Sequence, residues 1–505
     1  MPTLTSAKKS PRPAARVHGR PAPELIFGDL WAYDPAPETA DPKLKPRYEL
    51  FIGGKFVAPA SGKYFDSINP ANEQKIAEMA LGGAADVEAA YRAAQKAQET
   101  VWGKMPGKER AKYLFRIARL LQDRAREFAV AETMDNGKPI KETRDFDVPM
   151  AAAHFFYHAG WADKLEYVAP GRKVAPLGVV GQVIPWNFPL LMLSWKIAPA
   201  IAMGNCVVIK PATNTPLTAV KLAEIFQDAG LPPGVVNIIT GPGSTGGLLM
   251  AHPTAAKIAF TGSTEVGKVI MRSVAGTEKR MTMELGGKAA NIVFDDAPLD
   301  QAVEGIINGI FFNQGQVCCA GSRLLVQESV ADRVVAKLKN RLRTLRVGDP
   351  LDKNTDVGAI VSRDQLATIQ GYLDIGVKEG CKMWQPAGRL PTKGFYLPPT
   401  IFTGVTQSHR IAREEIFGPV LAIITFRTVE EAVEKANNTP YGLSAGVWTD
   451  KGSRILKMST ELKAGVVWAN TFNKFDPASP FGGYKESGFG REGGRQGLLD
   501  YCQLA

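Results

Sequence analysis

Four short apolar runs, each followed by a helix-like segment, set the architecture of this chain: "GVVGQVI" (178–184), "NCVVIK" (205–210), "VVNIIT" (235–240) and "KIAFTG" (257–262). Runs of this length, rich in Val and Ile and bounded by Gly, Asn or Pro, read as strands buried on both faces. A helix between consecutive strands is the connection that parallel pairing needs. The pattern therefore predicts a parallel sheet with helices on both faces, whose ligands would lie outside the carboxyl ends of the strands. After "RMTMELGGKAANIVF" (280–294) the alternation resumes with "SRLLVQ", "VLAIITF", "AGVWT" and "GVVWAN", which predicts a second α/β domain from about residue 286. Ahead of both, "YELFIGGKFV" (48–57) reads as two strands around a Gly-Gly turn, and 84–132 carries apolar residues at helical spacing. No repeat of fixed period is visible.

A chain of 505 residues has room for two or three such domains. Its formal charge of +11 would suit nucleic acid, but much of the excess lies in the head, where Lys8, Lys9, Arg12, Arg16 and Arg20 precede the first acid, Glu24. Elsewhere bases and acids are mixed, without aromatic-interleaved basic stripes, so no nucleic-acid partner is expected. The head has no apolar core for a signal peptide, and its prolines at 11, 13, 21 and 23 would break a targeting helix. Residues 1–45 are expected to form an unordered basic tail. The longest apolar stretch, Val179 to Ile209, is interrupted by Pro185, Pro189, Lys196 and Pro199, so no membrane span is predicted. Five cysteines, odd in number and scattered, point to free thiols, a reducing compartment and a cytoplasmic location.

Two of those thiols are adjacent, in "FFNQGQVCCAGSR" (311–323). Neighbouring cysteines can hardly bridge each other. No His, Asp or Glu lies within five residues of the pair, and no metal set is predicted. A nucleophile remains, and it needs an oxyanion donor and a base. "IPWNFPL" (184–190) offers Asn187 at a strand end, either as that donor or as a plain Asx turn. "MELGGK" (283–288) offers Glu284, a general base or half of a structural ion pair. "FTGSTEVG" (260–267) opens a helix with Gly262, Ser263 and Gly267, which suits a phosphate or merely a capped turn. "EEIFGPV" and "KPATNTP" put a carboxylate and an ammonium at strand ends, for ribose hydroxyls or for solvent.

Taken together, "PWNFPL", "KPATNTPLT", "FTGSTEVGK", "MELGGKAANIVF", "FFNQGQVCCAGSR", "EEIFGPV" and "SPFGGYKESGFGRE" resemble the aldehyde dehydrogenase superfamily, in its order, from about Tyr48 to near the C-terminus. The resemblance implies a Rossmann-like cofactor domain over 46–164 and 177–285, a catalytic domain over 286–475, and a small β oligomerisation element from 165–176 and 476–505. It implies Cys318 as catalytic thiol, Asn187 with the Cys318 N–H as oxyanion hole, Glu284 as base and Glu492 as proton-relay partner. NAD or NADP would be held by Trp186, Lys210, Thr213, Gly262, Ser263, Glu415 and Phe417. Met192, Trp195, Phe312, Phe472 and Phe481 would line an apolar aldehyde tunnel, with Cys319 in its wall. A homodimer is implied.

Two departures matter. Many NAD-preferring relatives carry Glu where this chain has Thr213; without that carboxylate nothing repels a 2′-phosphate, so NADP is expected to be accepted. The segment "LEYVAPGRKVAP" (165–176) is shorter than the family's hairpin, which puts a tetramer in doubt while a dimer is still expected. A CoA-acylating relative would lack Glu284, a non-catalytic scaffold would lack thiol or base, and a cysteine hydrolase would need a histidine that the motifs do not contain.

Overall fold

The computed structural model describes residues 34–504. All four opening runs form strands: Val179–Val183, Cys206–Lys210, Val236–Ile238 and Ala255–Thr261. They join Arg280–Glu284 as the five parallel members of an eight-stranded sheet, ordered 280–284, 255–261, 179–183, 206–210, 236–238. The "YELFIGGKFV" hairpin caps one edge as Leu50–Ile52 and Lys55–Val57, turning through Gly53 and Gly54 at φ 59 and 81. Left-handed backbone of this kind costs glycine little. At the other edge Gly488–Phe489 pairs antiparallel with Met283 and Glu284, so the C-terminal segment returns to the first sheet.

The helical pattern of 84–132 resolves into Ala84–Thr100, Gly107–Asp123 and Ala125–Asn136. Together with Val148–Ala162, Pro189–Ala202 and Leu217–Asp228 they supply the apolar core on the first sheet, including Tyr91, Phe128, Phe155 and Phe226. The interrupted stretch 179–209 is a strand, a buried helix and a strand. Among the described residues no helix is long and apolar enough to cross a membrane.

The second sheet has seven strands, ordered 382–384, 400–403, 420–426, 323–327, 290–293, 444–448, 466–469. All neighbours are parallel except Lys382–Trp384 against Thr400–Thr403. The chain is thus α/β with two Rossmann-like parallel sheets. Val174–Pro176 and Cys502–Leu504 pair with each other as a separate two-stranded ribbon.

The tail assigned to 1–45 lies mainly outside the described residues, but its last part differs from expectation. Glu38 N–H donates to Leu351 O at 2.8 Å, Lys353 N–H donates to Ala36 O at 3.0 Å, and the Glu38 carboxylate pairs with Arg126. These backbone bonds fasten 36–38 to the body, a partnership that composition did not reveal.

Candidate active site

The two adjacent cysteines sit beyond a turn that ordinary residues avoid. After helix Leu299–Phe311, Asn313, Gln314 and Gly315 adopt φ 47, 54 and 73 in succession. Left-handed backbone costs a non-glycine residue about 1–2 kcal/mol, so this turn must be held from outside. The Asn313 N–H donates to the Glu142 carboxylate at 2.9 Å, and its side-chain amide donates to Asn187 O at 2.7 Å. Gln314 donates to Ala359 O and accepts from the Gly358 N–H, while Gln316 accepts from the Val361 N–H. A Cβ on Gly315 would lie 2.1 Å from Gly418 O. "NQGQ" is therefore three knitting amides around the one residue that fits.

Cys318 is half-buried, whereas Cys319 is buried, with its thiol 3.7 Å from Asn473 Oδ1 and its carbonyl accepting from the Ser444 hydroxyl. All five cysteines are free. Cys319 packs in the apolar core of the second domain and faces neither cavity described below.

Two cavities meet at Cys318. The larger, about 270 Å³, is lined by Trp186, Asn187, Met192, Gly262, Ser263, Glu415 and Phe417. Asn187 follows strand Val179–Val183 and is buried, with one amide hydrogen on Gln316 O at 2.9 Å. The second hydrogen of an amide nitrogen remains for a ligand. Glu415 Oε1 accepts the Gly287 N–H at 3.0 Å, and a Cβ on Gly286 would sit 2.3 Å from its other oxygen. Burial raises the Glu415 pKa to about 7. Ser263 caps helix Thr264–Ser273, accepting the Val266 N–H at 3.3 Å. The Trp186 and Phe417 rings meet perpendicularly, centroids 5.1 Å apart.

These groups fit a nicotinamide dinucleotide. The helix N-terminus attracts a pyrophosphate, and Glu415, which spends one oxygen on a backbone N–H, can accept from ribose hydroxyls. Lys210 and Thr213 lie outside both cavities, at the end of the adjacent strand. The buried Lys210 ammonium donates to Pro211 O at 2.7 Å, with its pKa lowered to about 8 by burial, and Thr213 Oγ1 donates to Gly241 O at 3.0 Å.

The smaller cavity, about 20 Å³, is lined by Met192, Trp195, Lys196, Thr261, Glu284, Phe481 and Glu492 beside Cys318. It has room for a single water. Neither carboxylate oxygen of the buried Glu284 has a hydrogen-bond partner among the described residues. Burial, then the Glu492 charge, raises its pKa well above the usual carboxylate range. Glu492 is placed by reciprocal backbone bonds with Phe481 at 2.7 Å, and pairs with Lys196 at 2.5 Å. Lys196 was read from sequence only as an interruption of an apolar stretch. A fully buried lysine in an otherwise apolar helix was the signal that could have found it.

Beyond this cavity runs a cluster of aromatic rings. Phe475 lies 5.9 Å from Phe146, 6.2 Å from Trp195 and 5.6 Å from Phe481, while Phe312 lies 5.3 Å from Phe146 and 6.0 Å from Phe188. Trp195, Phe312 and Phe481 thus share one aromatic cluster with Phe146, Phe188 and Phe475, which sequence reasoning missed. Phe472 borders neither cavity. Its ring is fully buried against the bare faces of Gly309, Gly321 and Gly446, filling the core of the second domain. Asn473, at φ 54, turns the chain between Phe472 and Phe475, and both rings pack on Trp468, with centroids 4.7 and 5.6 Å away.

Among the described residues no group of three His, Cys, Asp or Glu could hold a metal. The one Cys–His hydrogen bond among them, Cys381 with His409 at 3.3 Å, involves neither cavity.

Comparison with known proteins agrees with this arrangement. The sequence profile described as the Aldehyde dehydrogenase family matches residues 56–505. Aldehyde dehydrogenase B of Escherichia coli (strain K12) is 47% identical over 482 residues, covering 91% of this chain and 93% of that protein. The mitochondrial benzaldehyde dehydrogenase of Antirrhinum majus is 44% identical over 479 residues, covering 92% and 90%. The structure of an aldehyde dehydrogenase from Bacillus cereus in complex with NAD+ superimposes with a TM-score of 0.88 at 40% identity, covering 92% of this chain and 99% of that one. A thiol, an amide donor and an unpartnered carboxylate around one junction, in a chain matched over nearly its whole length, lead to one conclusion: this protein belongs to the aldehyde dehydrogenase family.

Proposed function

We propose that this NAD(P)-dependent aldehyde dehydrogenase oxidises an uncharged aromatic or aliphatic aldehyde to its carboxylic acid through a thioester on Cys318. The observation that carries the reading is the place of Cys318, at the meeting point of a cofactor-shaped cavity and a water-sized one that holds Glu284. The thiol pKa is held well above its ordinary value, first by a hydrogen bond with Cys319 and then by burial, so attack requires a base. Glu284, with both oxygens unengaged, takes the thiol proton as Sγ bonds to the carbonyl carbon. The resulting oxyanion accepts from Asn187 Nδ2 and the Cys318 N–H. When bound, NAD(P)+ supplies the hydride acceptor that converts this thiohemiacetal to a thioester. Glu284 gives up that proton, removes another from water in the small cavity, the hydroxide adds to the thioester carbon, and the acid leaves as this second proton restores the thiol. Glu492, paired with Lys196, receives the surplus proton.

The aromatic wall supports the substrate class. Phe146, Phe475, Phe481 and Trp195 offer apolar faces, and the relative from Antirrhinum majus is named for benzaldehyde. Lys474 lies in the same loop but is exposed, with its carbonyl accepting from Trp468. Glu284 disfavours a CoA-acylating reaction, because its cavity supplies activated water. The Thr213 hydroxyl, donating to Gly241 O with no carboxylate in its place, supports use of NADP as well as NAD. A cytoplasmic homodimer completes the reading.

The test is production of reduced nicotinamide from a panel of aromatic, aliphatic and acid semialdehydes, with Cys318→Ala alongside. Turnover of the uncharged aldehydes that vanishes in the variant is expected; turnover that survives it would refute the assignment.

A further inference from the structure

On the far side of the catalytic turn lies a cavity of about 10 Å³ lined by Lys288, Arg323, Lys463 and Ser444, with no carboxylate in its wall. Lys288 is only 2% exposed, and its ammonium has no hydrogen-bond or ion-pair partner among the described residues. Arg323, 3% exposed, donates to the carbonyls of Lys288, Lys435 and Ala436 at 2.9, 3.0 and 2.8 Å. Those carbonyls orient the guanidinium without neutralising it. Nearby, Lys485 donates to Asn437 O and Thr439 O, again without an acid.

Two buried cations, neither paired with a carboxylate, are unfavourable. Burial and the neighbouring Arg323 lower the Lys288 pKa to about 7, against the raising influence of Glu415 and Glu414. Glu415 gives one oxygen to the Gly287 N–H, and Glu414 pairs with Arg410, so neither reaches the cavity. Even as a neutral amine, Lys288 would keep two N–H donors without an acceptor. We propose that this cavity binds one small monovalent anion, of halide size, between Lys288 and Arg323. Its volume, about that of one water, suits a single small occupant. The exposed Lys463 at the rim draws the anion in.

The site lies one backbone layer behind the thiol. A Cβ on Gly287, next to Lys288, would lie 2.3 Å from Cys318 O, and Ser444, which lines the cavity, donates to Cys319 O. An anion there ties Lys288 to the frame on which the catalytic turn rests.

The experiment is diffraction from crystals of the full chain soaked in sodium bromide, recorded at the bromine absorption edge. An anomalous peak within hydrogen-bond reach of Lys288 Nζ is expected, absent in Lys288→Met while surface bromide peaks persist. An ordered water there without anomalous signal, or bromide on the surface alone, would overturn the proposal. In solution, the melting temperature should be higher in sodium bromide than in sodium gluconate at equal ionic strength. That increment should be lost in Lys288→Met; an equal increment in enzyme and variant would overturn the assignment to this cavity.

Discussion

Asn187→Ala separates oxyanion stabilisation from the architecture of the turn. Asn187 Nδ2 makes one bond, to Gln316 O at 2.9 Å, and that carbonyl is also reached by Asn313 Nδ2 at 3.2 Å. The other contact between these segments uses the backbone carbonyl of Asn187, which alanine keeps. The structural loss is therefore one shared hydrogen bond, worth about 1 kcal/mol, and the left-handed turn survives. Loss of the oxyanion donor is larger, about 3 kcal/mol in comparable sites, or roughly a hundredfold or more in turnover. The assay is kcat and KM from absorbance of reduced nicotinamide, with melting temperature and the rate of Cys318 alkylation measured in parallel. Turnover should fall roughly a hundredfold with KM, melting and alkylation little changed. A kcat within tenfold of the unaltered enzyme would remove Asn187 from the mechanism. A collapse of alkylation would show that it holds the thiol rather than the oxyanion.

Two further outcomes follow from single residues. Thr213→Glu should lower kcat/KM with NADP at least tenfold relative to NAD, since a carboxylate there would repel a 2′-phosphate; an unchanged ratio in paired kinetics would place cofactor choice elsewhere. Glu142, whose carboxylate holds the Asn313 N–H, has its pKa raised to about 8, chiefly by burial. A folded-state pKa above the unfolded one means that the native state binds more protons between them, so this group's contribution to stability falls as pH rises from about 4.5 to about 8. Glu142→Gln should flatten that fall in urea midpoints measured at pH 5 and pH 8; an identical slope would show that Glu142 does not titrate there.

The sheet was legible because its strands are apolar on both faces, so short Val- and Ile-rich runs marked them directly. In the second sheet the two strands that reading left out, Lys382–Trp384 and Thr400–Thr403, are short and lie beside Pro-rich segments that suppress the pattern. At the site, Cys318, Asn187 and Glu284 were legible because each stands within three residues of a glycine or proline, in a motif that local sequence carries whole. Lys196 and Glu142 were not, because their roles depend on helices packing from elsewhere in the chain. Phe472 and Phe475 show the limit most clearly. Both are aromatic and three residues apart, across a left-handed turn at Asn473, yet Phe472 is fully buried and Phe475 only partly. Residue type carries the chemistry of a loop, but its facing depends on dihedral angles that no local periodicity records.

The central claim is that Cys318 carries an acyl group which Glu284-activated water removes, and Glu284→Gln tests it most directly. Glutamine fills the same space but cannot take a proton from water. Mixed with excess aldehyde and cofactor, the variant should release one equivalent of reduced nicotinamide per site in a burst, slower than that of the unaltered enzyme because the thiol has also lost its base, and then nearly stop. Mass spectrometry of the quenched protein should find the acyl group on the peptide bearing Cys318 and Cys319, with fragmentation assigning it to Cys318. No burst together with no adduct, an acyl group on Cys319, or steady turnover equal to that of the unaltered enzyme would contradict the account.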